Sequence, residues 1–335
     1  MLLGGALLLE GCVRQLDLDP APEGESISFR AGSTLLRDDA TTKSLTESFT
    51  HDGEAFTVFG ERVTASDVHS TVFNGVDVTH RYGGGDDYWY YTTARFWYWV
   101  STSDRYDFVA ISPSGHETVN EHAADNLSVS THYDLTQDNY DILAATYRRR
   151  GTNWESRYNR VDLSFSHIGS AVAVTVVNNS STTDITVTSI YYKNLVVDAD
   201  AKVTFNNQGQ AAFRWANFTP SRDPVRELTR NPATVIEPGH EYTGEYQIMI
   251  PHNLSLYGAQ LYLTYKVGDN PETFTSEPIA LADIKRSDGT AITSWEIGYK
   301  YNYNVSMRLD GGLLVTVNTT PWDVPVEAET PGILI

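Results

Sequence analysis

Residues 161–167 read Val161-Asp-Leu163-Ser-Phe165-Ser-His167, and Val172, Val174 and Val176 continue the pattern. An apolar side chain at every second position gives an extended chain one apolar and one wet face, because successive strand side chains point to opposite sides. The stretch therefore reads as two successive half-buried strands, and the rest of the chain repeats the reading. Phe56-Thr-Val58-Phe59-Gly60, Phe96-Trp-Tyr98-Trp-Val100 and Tyr106-Asp-Phe108-Val-Ala-Ile111 are short, aromatic and β-branched, with clusters of Gly, Asp, Asn and Ser between them. Near the end, Ile297, Tyr299, Tyr301, Tyr303, Val305, Met307 and Leu309 alternate, and Asp310-Gly311-Gly312 turns the chain into 313–317. Asp-Gly favours a hairpin because glycine accepts positive φ without a Cβ clash. Two more hairpins are expected, 203–205 against 211–215 through Asn206-Asn207-Gln208-Gly209, and 261–267 turning at Gly268-Asp269-Asn270-Pro271. Such spacing predicts an all-β chain of sandwich type. One short helix is expected over 138–150, where Ile142, Leu143, Ala145 and Tyr147 share a side and Asp138 stands at the cap position.

A chain of 335 residues suits two domains. The polar stretch 151–159 puts the boundary near residue 157, dividing an N-terminal sandwich, 27–156, from a C-terminal one, 157–335. Residues 13–26 are acidic, polar and Pro-containing, the composition of a flexible tether. Acidic side chains number 43 against 24 basic, for a formal charge of −19, and no Lys/Arg-rich stripe occurs, so a nucleic-acid partner is not expected. With a single cysteine, Cys12, no intramolecular disulfide can form. Cys12 closes the run Met1-Leu-Leu-Gly-Gly-Ala-Leu-Leu-Leu-Glu-Gly11, which is too short to span a bilayer. Leu9-Glu10-Gly11-Cys12 resembles the lipobox of a bacterial lipoprotein signal, and cleavage after Gly11 would leave Cys12 as a lipidated N-terminus. The alternative is a free cysteine.

No catalytic constellation is visible and no cofactor is expected. Neither His-Glu-x-x-His nor a Cys/His cluster occurs, so no metal site is indicated. His116 and His122 with Glu117 and Glu121 match no ligand spacing and read as a solvated loop. Gly83-Gly-Gly85-Asp86-Asp87 lacks the Lys-Ser or Lys-Thr of a phosphate loop and reads as a hairpin tip, with a weak calcium site at Asp86 and Asp87 as the alternative. Tyr88-Trp-Tyr-Tyr91 and Phe96-Trp-Tyr-Trp99 offer rings that stack on sugars when exposed, but in strands alternate members must face inward, which makes at least half of them core.

Four stretches taken in order carry a likeness to a family: Tyr140-Asp-Ile-Leu143, Val161-Asp-Leu-Ser-Phe-Ser-His167, Trp295-Glu-Ile-Gly-Tyr-Lys-Tyr-Asn-Tyr303, and Val315-Thr-Val with Pro321-Trp322. Together they resemble the landmarks of fimbrillin-like (Mfa-like) surface proteins, over about residues 27–322. The resemblance implies two transthyretin-like β-sandwich domains in tandem and no enzymatic activity. It also implies export as a lipoprotein to the outer membrane and cell surface, and a structural or adhesive place in type V fimbriae, with other fimbrial subunits as partners in a homo- or hetero-polymer. In that family an arginine-specific protease removes the first strand and a neighbour's C-terminal strand fills the groove. Carried onto this chain, the displaced strand is Ile27, Phe29 and Ala31. The scissile residue is Arg37, in the polar segment after that strand, with Arg30 inside the strand as the second choice. The donor strand is Val324, Val326 and Ala328 followed by Ile333 and Ile335, interrupted by Pro325 and Pro331. Two alternatives remain open at this stage. A chain that keeps its first strand is a monomeric lipid-anchored adhesin or glycan-binding lipoprotein with a host or bacterial surface ligand, and a tail that donates nothing is a locally packed terminus.

Overall fold

The computed structural model describes residues 27–33, 54–83, 86–92, 103–115, 118–123, 126–138, 140–149, 160–286, 288–308 and 312–322. The fold is all-β with one short helix. Its first strands are β1 (Ser28–Ser33), β2 (Ala55–Val63), β3 (His69–Gly83), β4 (Asp86–Tyr91), β5 (Arg105–Ser112), β6 (Thr118–Ala123), β7 (Asn126–Asp134), β8 (Leu143–Arg149) and β9 (Arg160–His167). They are followed by β10 (Ser170–Asn178), β11 (Ile185–Lys193), β12 (Leu195–Phe205), β13 (Ala211–Ser221), β14 (Val225–Ile236), β15 (Glu241–Thr243) and β16 (Gln247–Met249). The helix α1 (Leu254–Tyr257) precedes β17 (Gln260–Val267), β18 (Phe274–Thr275), β19 (Ile279–Ala280), β20 (Tyr299–Met307) and β21 (Leu313–Pro321).

A seven-stranded sheet has the order β1-β9-β8-β5-β2-β3-β4, and a four-stranded sheet has the order β13-β12-β7-β6. Strands from either side of residue 157 share both sheets. The seven-stranded sheet rolls until β1 meets β4, and its concave face encloses Phe29, Phe56, Phe73, Phe108, Val161, Leu163 and Phe165. Its convex face, through Phe59, Val109, Ile111 and Ala144, shares a core with Leu127, Val129 and Tyr133 of β7 and Ala199, Ala201 and Val203 of β12. The alternation that opened the sequence reading thus has a literal counterpart, with Val161, Leu163, Phe165 and His167 buried and Asp162 and Ser164 exposed.

The remaining strands form two five-stranded sheets, β15-β10-β20-β21 with β16 also on β10, and β14-β11-β17-β18 with β19 also on β17. β10 and β20 run parallel, and β20 and β21 form the hairpin expected from 310–312. Between these sheets Trp295 is almost fully buried and donates from Nε1 to the Tyr303 hydroxyl at 2.9 Å. Burial pushes the Tyr303 and Tyr192 phenols up and holds Tyr301 at about 12. His252 lies against Trp295 with ring centroids 5.3 Å apart, and its Nδ1 donates to the Ile250 carbonyl at 2.7 Å. Desolvation outweighs that bond and lowers the imidazole from 6.5 to about 4. Between these values the unfolded chain binds a proton that the folded chain refuses, so stability is complete above about pH 6.5 and falls as the pH drops towards 4. The loss amounts to about 3 kcal/mol at about 1.4 kcal/mol per unit. His252→Asn is expected to flatten the urea-unfolding stability profile over this window relative to the parent. Parallel profiles for the two proteins would contradict the assignment.

Where a helix is expected over 138–150, the described residues form none. Residues 143–149 form β8, between β5 and β9, and the chain before it makes a turn in which Asp138 Oδ2 accepts from the Asp134 N–H at 2.8 Å. Leu143, Ala144 and Ala145 are buried in succession because both faces of this central strand are covered. The helix that does form, α1, is a single turn capped by the Asn253 side chain on the Leu256 N–H and closed by Gly258 at φ 67°.

Candidate functional site

β1 forms because Ile27, Phe29 and Ala31 alternate with Ser28 and Arg30, which makes one side of an extended segment apolar. Ile27 is 1% and Phe29 4% exposed, Ala31 is half-buried, and Arg30 points outward in the open. The strand pairs in parallel with β9, from Ser28 opposite Arg160 to Ser33 opposite Phe165. Its other side meets β4, where the Tyr91 hydroxyl donates to the Ile27 carbonyl at 2.8 Å. The Phe29 ring lies edge-on to Phe73 at 5.3 Å, to Tyr91 and Phe108 at 5.9 Å each, and to Phe56 at 6.1 Å. Gly60 makes this crowding possible, since a Cβ there would come within 2.9 Å of the Phe108 ring. Among the described residues β1 is thus an edge strand, held by one ladder, by the Tyr91 hydrogen bond and by inward aromatic packing.

Of the residues singled out in the sequence, Phe29, Arg30 and Ala31 lie on this strand and Ile27 immediately before it, with Arg30 opposite Asp162. Cys12, Arg37, Val324, Val326, Ala328, Ile333 and Ile335 lie outside the described residues, as do His116, Glu117 and the stretch 96–100. Trp89 and Tyr91 pack on the aromatic core, whereas Tyr90 stands under the Arg81 guanidinium at 5.0 Å. Asp86 and Asp87 begin β4 opposite Gly83 and Tyr82, as a hairpin tip requires. Among the described residues no three His, Cys, Asp or Glu side chains converge on a metal position.

The root of the expected donor tail is described. Trp322, the last described residue, is buried, with its backbone N–H donating to the Gly298 carbonyl at 2.7 Å. Its indole lies flat on the His167 ring, centroids 3.8 Å apart and 10° between planes. His167 Nδ1 is 2.8 Å from Asp141 Oδ2, and both side chains are fully buried. β9 therefore holds β1 along its length and the last described residue at its end. Sequence reasoning had used His167 and Trp322 only as landmarks. The available signal was that His167 takes the next inward position after Val161, Leu163 and Phe165, where a polar ring needs partners.

A model of the fimbrillin-like family matches residues 41–322, a span that begins after β1 and ends at Trp322. The chain belongs to the fimbrillin-like family. This fimbrillin-like protein is accordingly a fimbrial or adhesive component of the cell surface, one that assembles with other fimbrial subunits, and not an enzyme. Comparison with curated proteins gave no match. Among solved structures, a candidate cell adhesion protein from Bacteroides uniformis is 19% identical, with 89% of this chain and 98% of that chain covered at a TM-score of 0.49. A second, from Bacteroides ovatus, is 14% identical, covering 90% of this chain and 99% of that chain, also at 0.49. The tip fimbrial protein Mfa3 from Porphyromonas gingivalis, with a C-terminal truncation, is 12% identical, covering 88% and 99% respectively, at 0.44.

Proposed function

We propose that this protein is exported as a lipoprotein, anchored in the outer membrane through Cys12, and built into a fimbrium by strand exchange. Cleavage after Arg37 frees β1, and the vacated slot beside β9 takes the C-terminal strand of a neighbouring subunit, with Val324, Val326 and Ala328, then Ile333 and Ile335, supplying the inward side chains. The observation that supports this reading above others is the position of β1, an edge strand that among the described residues pairs with β9 alone and whose Phe29 fills the aromatic core. A replacement strand gains a backbone ladder and a pre-formed apolar pocket at once. Arg30 is the poorer cleavage site because its backbone is engaged in the β1–β9 ladder, which a protease would first have to peel away.

The test is treatment of the purified chain with an arginine-specific protease. The parent is expected to shorten by its first 37 residues and to form multimers that survive SDS, whereas Arg37→Gln stays intact and monomeric. Multimers from uncleaved Arg37→Gln, or a shortened parent that never multimerises, would remove strand exchange from consideration. The Tyr91 bond to Ile27 and the burial of Phe29 favour a second reading, in which β1 is kept and the protein works as a monomeric anchored adhesin. Surface extracts containing only uncleaved chain would support that reading.

A further inference from the structure

We propose that the outer face of β11 and β17 binds an anionic glycan, with a sugar ring packed on the free face of the stacked Tyr191–Tyr262 pair and its carboxylate or sulfate held by Lys193. The two strands pair antiparallel, Tyr191 opposite Tyr262 and Lys193 opposite Gln260. Ile190, Tyr192, Leu261 and Leu263 are buried, so alternation sends Tyr191, Lys193 and Tyr262 outward. The phenol rings are stacked on each other, with centroids 5.1 Å apart and 2° between planes, so each has one face left for a ligand. Lys193 Nζ stands 5.2 Å from the Tyr262 ring centre and 5.8 Å from that of Tyr191, and has no carboxylate partner among the described residues. Gln260 Oε1 accepts from the Tyr262 hydroxyl at 2.9 Å and from Asn194 Nδ2 at 3.4 Å, which fixes the polar rim of the patch.

A cross-strand tyrosine pair alone is ordinary sheet packing. Charge is what distinguishes this one. The chain carries 43 acidic side chains against 24 basic ones, yet β11 and β17 contain neither Asp nor Glu. A second cation, Lys266, stands opposite Thr186 on the same strand pair and also lacks a carboxylate partner among the described residues. Thr188 Oγ1 donates to Thr264 Oγ1 at 3.0 Å between the two ends. From position 186 to position 193 an extended strand covers roughly 23 Å, room for several sugar units. Acidic Asp184 and Asp269 flank the Lys266 end, which directs the ligand's charge to Lys193. Tyrosine offers a large, rigid, amphipathic surface at little entropic cost, and the ammonium adds a charge-assisted hydrogen bond. Unneutralised cations beside flat rings on an otherwise acidic protein are the complement of a saccharide that bears negative charge, and this inference stands apart from strand exchange.

The full chain is to be titrated calorimetrically with chondroitin sulfate oligosaccharides, with polygalacturonate oligosaccharides and with neutral dextran oligosaccharides. At least one charged probe is expected to bind, dextran is not, and binding should weaken at least about tenfold in ~0.5 M salt. Tyr191→Ser with Tyr262→Ser, and separately Lys193→Gln, should each cost at least about tenfold in affinity. Should the double variant fail to fold, Lys193→Gln decides, since a surface lysine is dispensable for folding. The proposal is overturned if neither charged probe binds, if dextran binds equally, or if Lys193→Gln leaves affinity unchanged. It is also overturned if the acidic peptide 323–335 binds this face while both charged saccharides stay silent, which would make it a protein-docking surface.

Discussion

Arg148→Ala is expected to destabilise the protein by about 3–5 kcal/mol, the range for removing one partner of a buried ion pair. Asp107 on β5 is completely buried and receives Arg148 Nε at 2.7 Å and Nη2 at 2.8 Å from the neighbouring β8. The same Nη2 reaches Asn126 Oδ1 at 2.8 Å, and the guanidinium lies 4.2 Å over the Phe205 ring, so one side chain ties the seven-stranded sheet to the four-stranded one. Arg105 also approaches Asp107, at 3.1 Å, but from a more exposed position, and it replaces neither the fork nor the link to Phe205. Gly209 belongs to this joint, since its φ of 79° makes the β12–β13 turn and a Cβ there would meet Arg148 at 3.1 Å. Chemical unfolding measures the loss. Asp107→Leu with Arg148→Met should cost markedly less than Arg148→Ala alone, because no fully buried charge is then left without its partner, Arg105 being the more exposed member of the cluster. Equal costs for the single and double variants would show that packing, and not the buried charge, dominates.

Neither half of that pair was legible in the sequence, where Asp107 and Arg148 are 41 positions apart and each looks like a surface charge. What was legible follows from local period. The stretches 161–167, 203–215, 261–267 and 299–317 reveal themselves because one face of each strand is wetter than the other, whereas 172–176, read in the same way, lies on β10 and is buried on both faces, with Ala173 and Thr175 packed inside as fully as the valines. Residues 142–145 misled for the opposite reason, since a strand covered on both faces shows an unbroken apolar run that a buried helix shows equally well. The candidate site divides in the same way. Ile27, Phe29 and Ala31 could be read as a strand, but its parallel partner and its place at the rolled edge of a sheet depend on β9, which arrives more than a hundred residues later. The tyrosine pair on β11 and β17 depends on register across two strands, and a shift of one residue would have buried both rings.

Phe29→Ala is expected to act differently on the two states of a strand-exchanging subunit, and this difference is what tests the slot. In the uncleaved chain the ring is lost from among Phe56, Phe73, Tyr91 and Phe108, and the cavity left behind should cost about 3–5 kcal/mol. The rolled sheet cannot collapse easily around it, because Gly60 already brings the Phe108 ring against the β2 backbone. In a multimer formed after cleavage at Arg37, β1 has gone and residue 29 with it, so the melting of exchanged multimers should match the parent's. The weakened β1 should also depart sooner, shortening the time to SDS-resistant multimers by at least about tenfold, the factor that 1.4 kcal/mol supplies. A substitution that lowers the stability of the intact monomer while leaving the multimer untouched and hastening its formation is the signature of a strand held only until replaced. A variant that slows assembly, or that weakens monomer and multimer alike, would mean that β1 stays in the core throughout, and the protein would then be one whose first strand is structural.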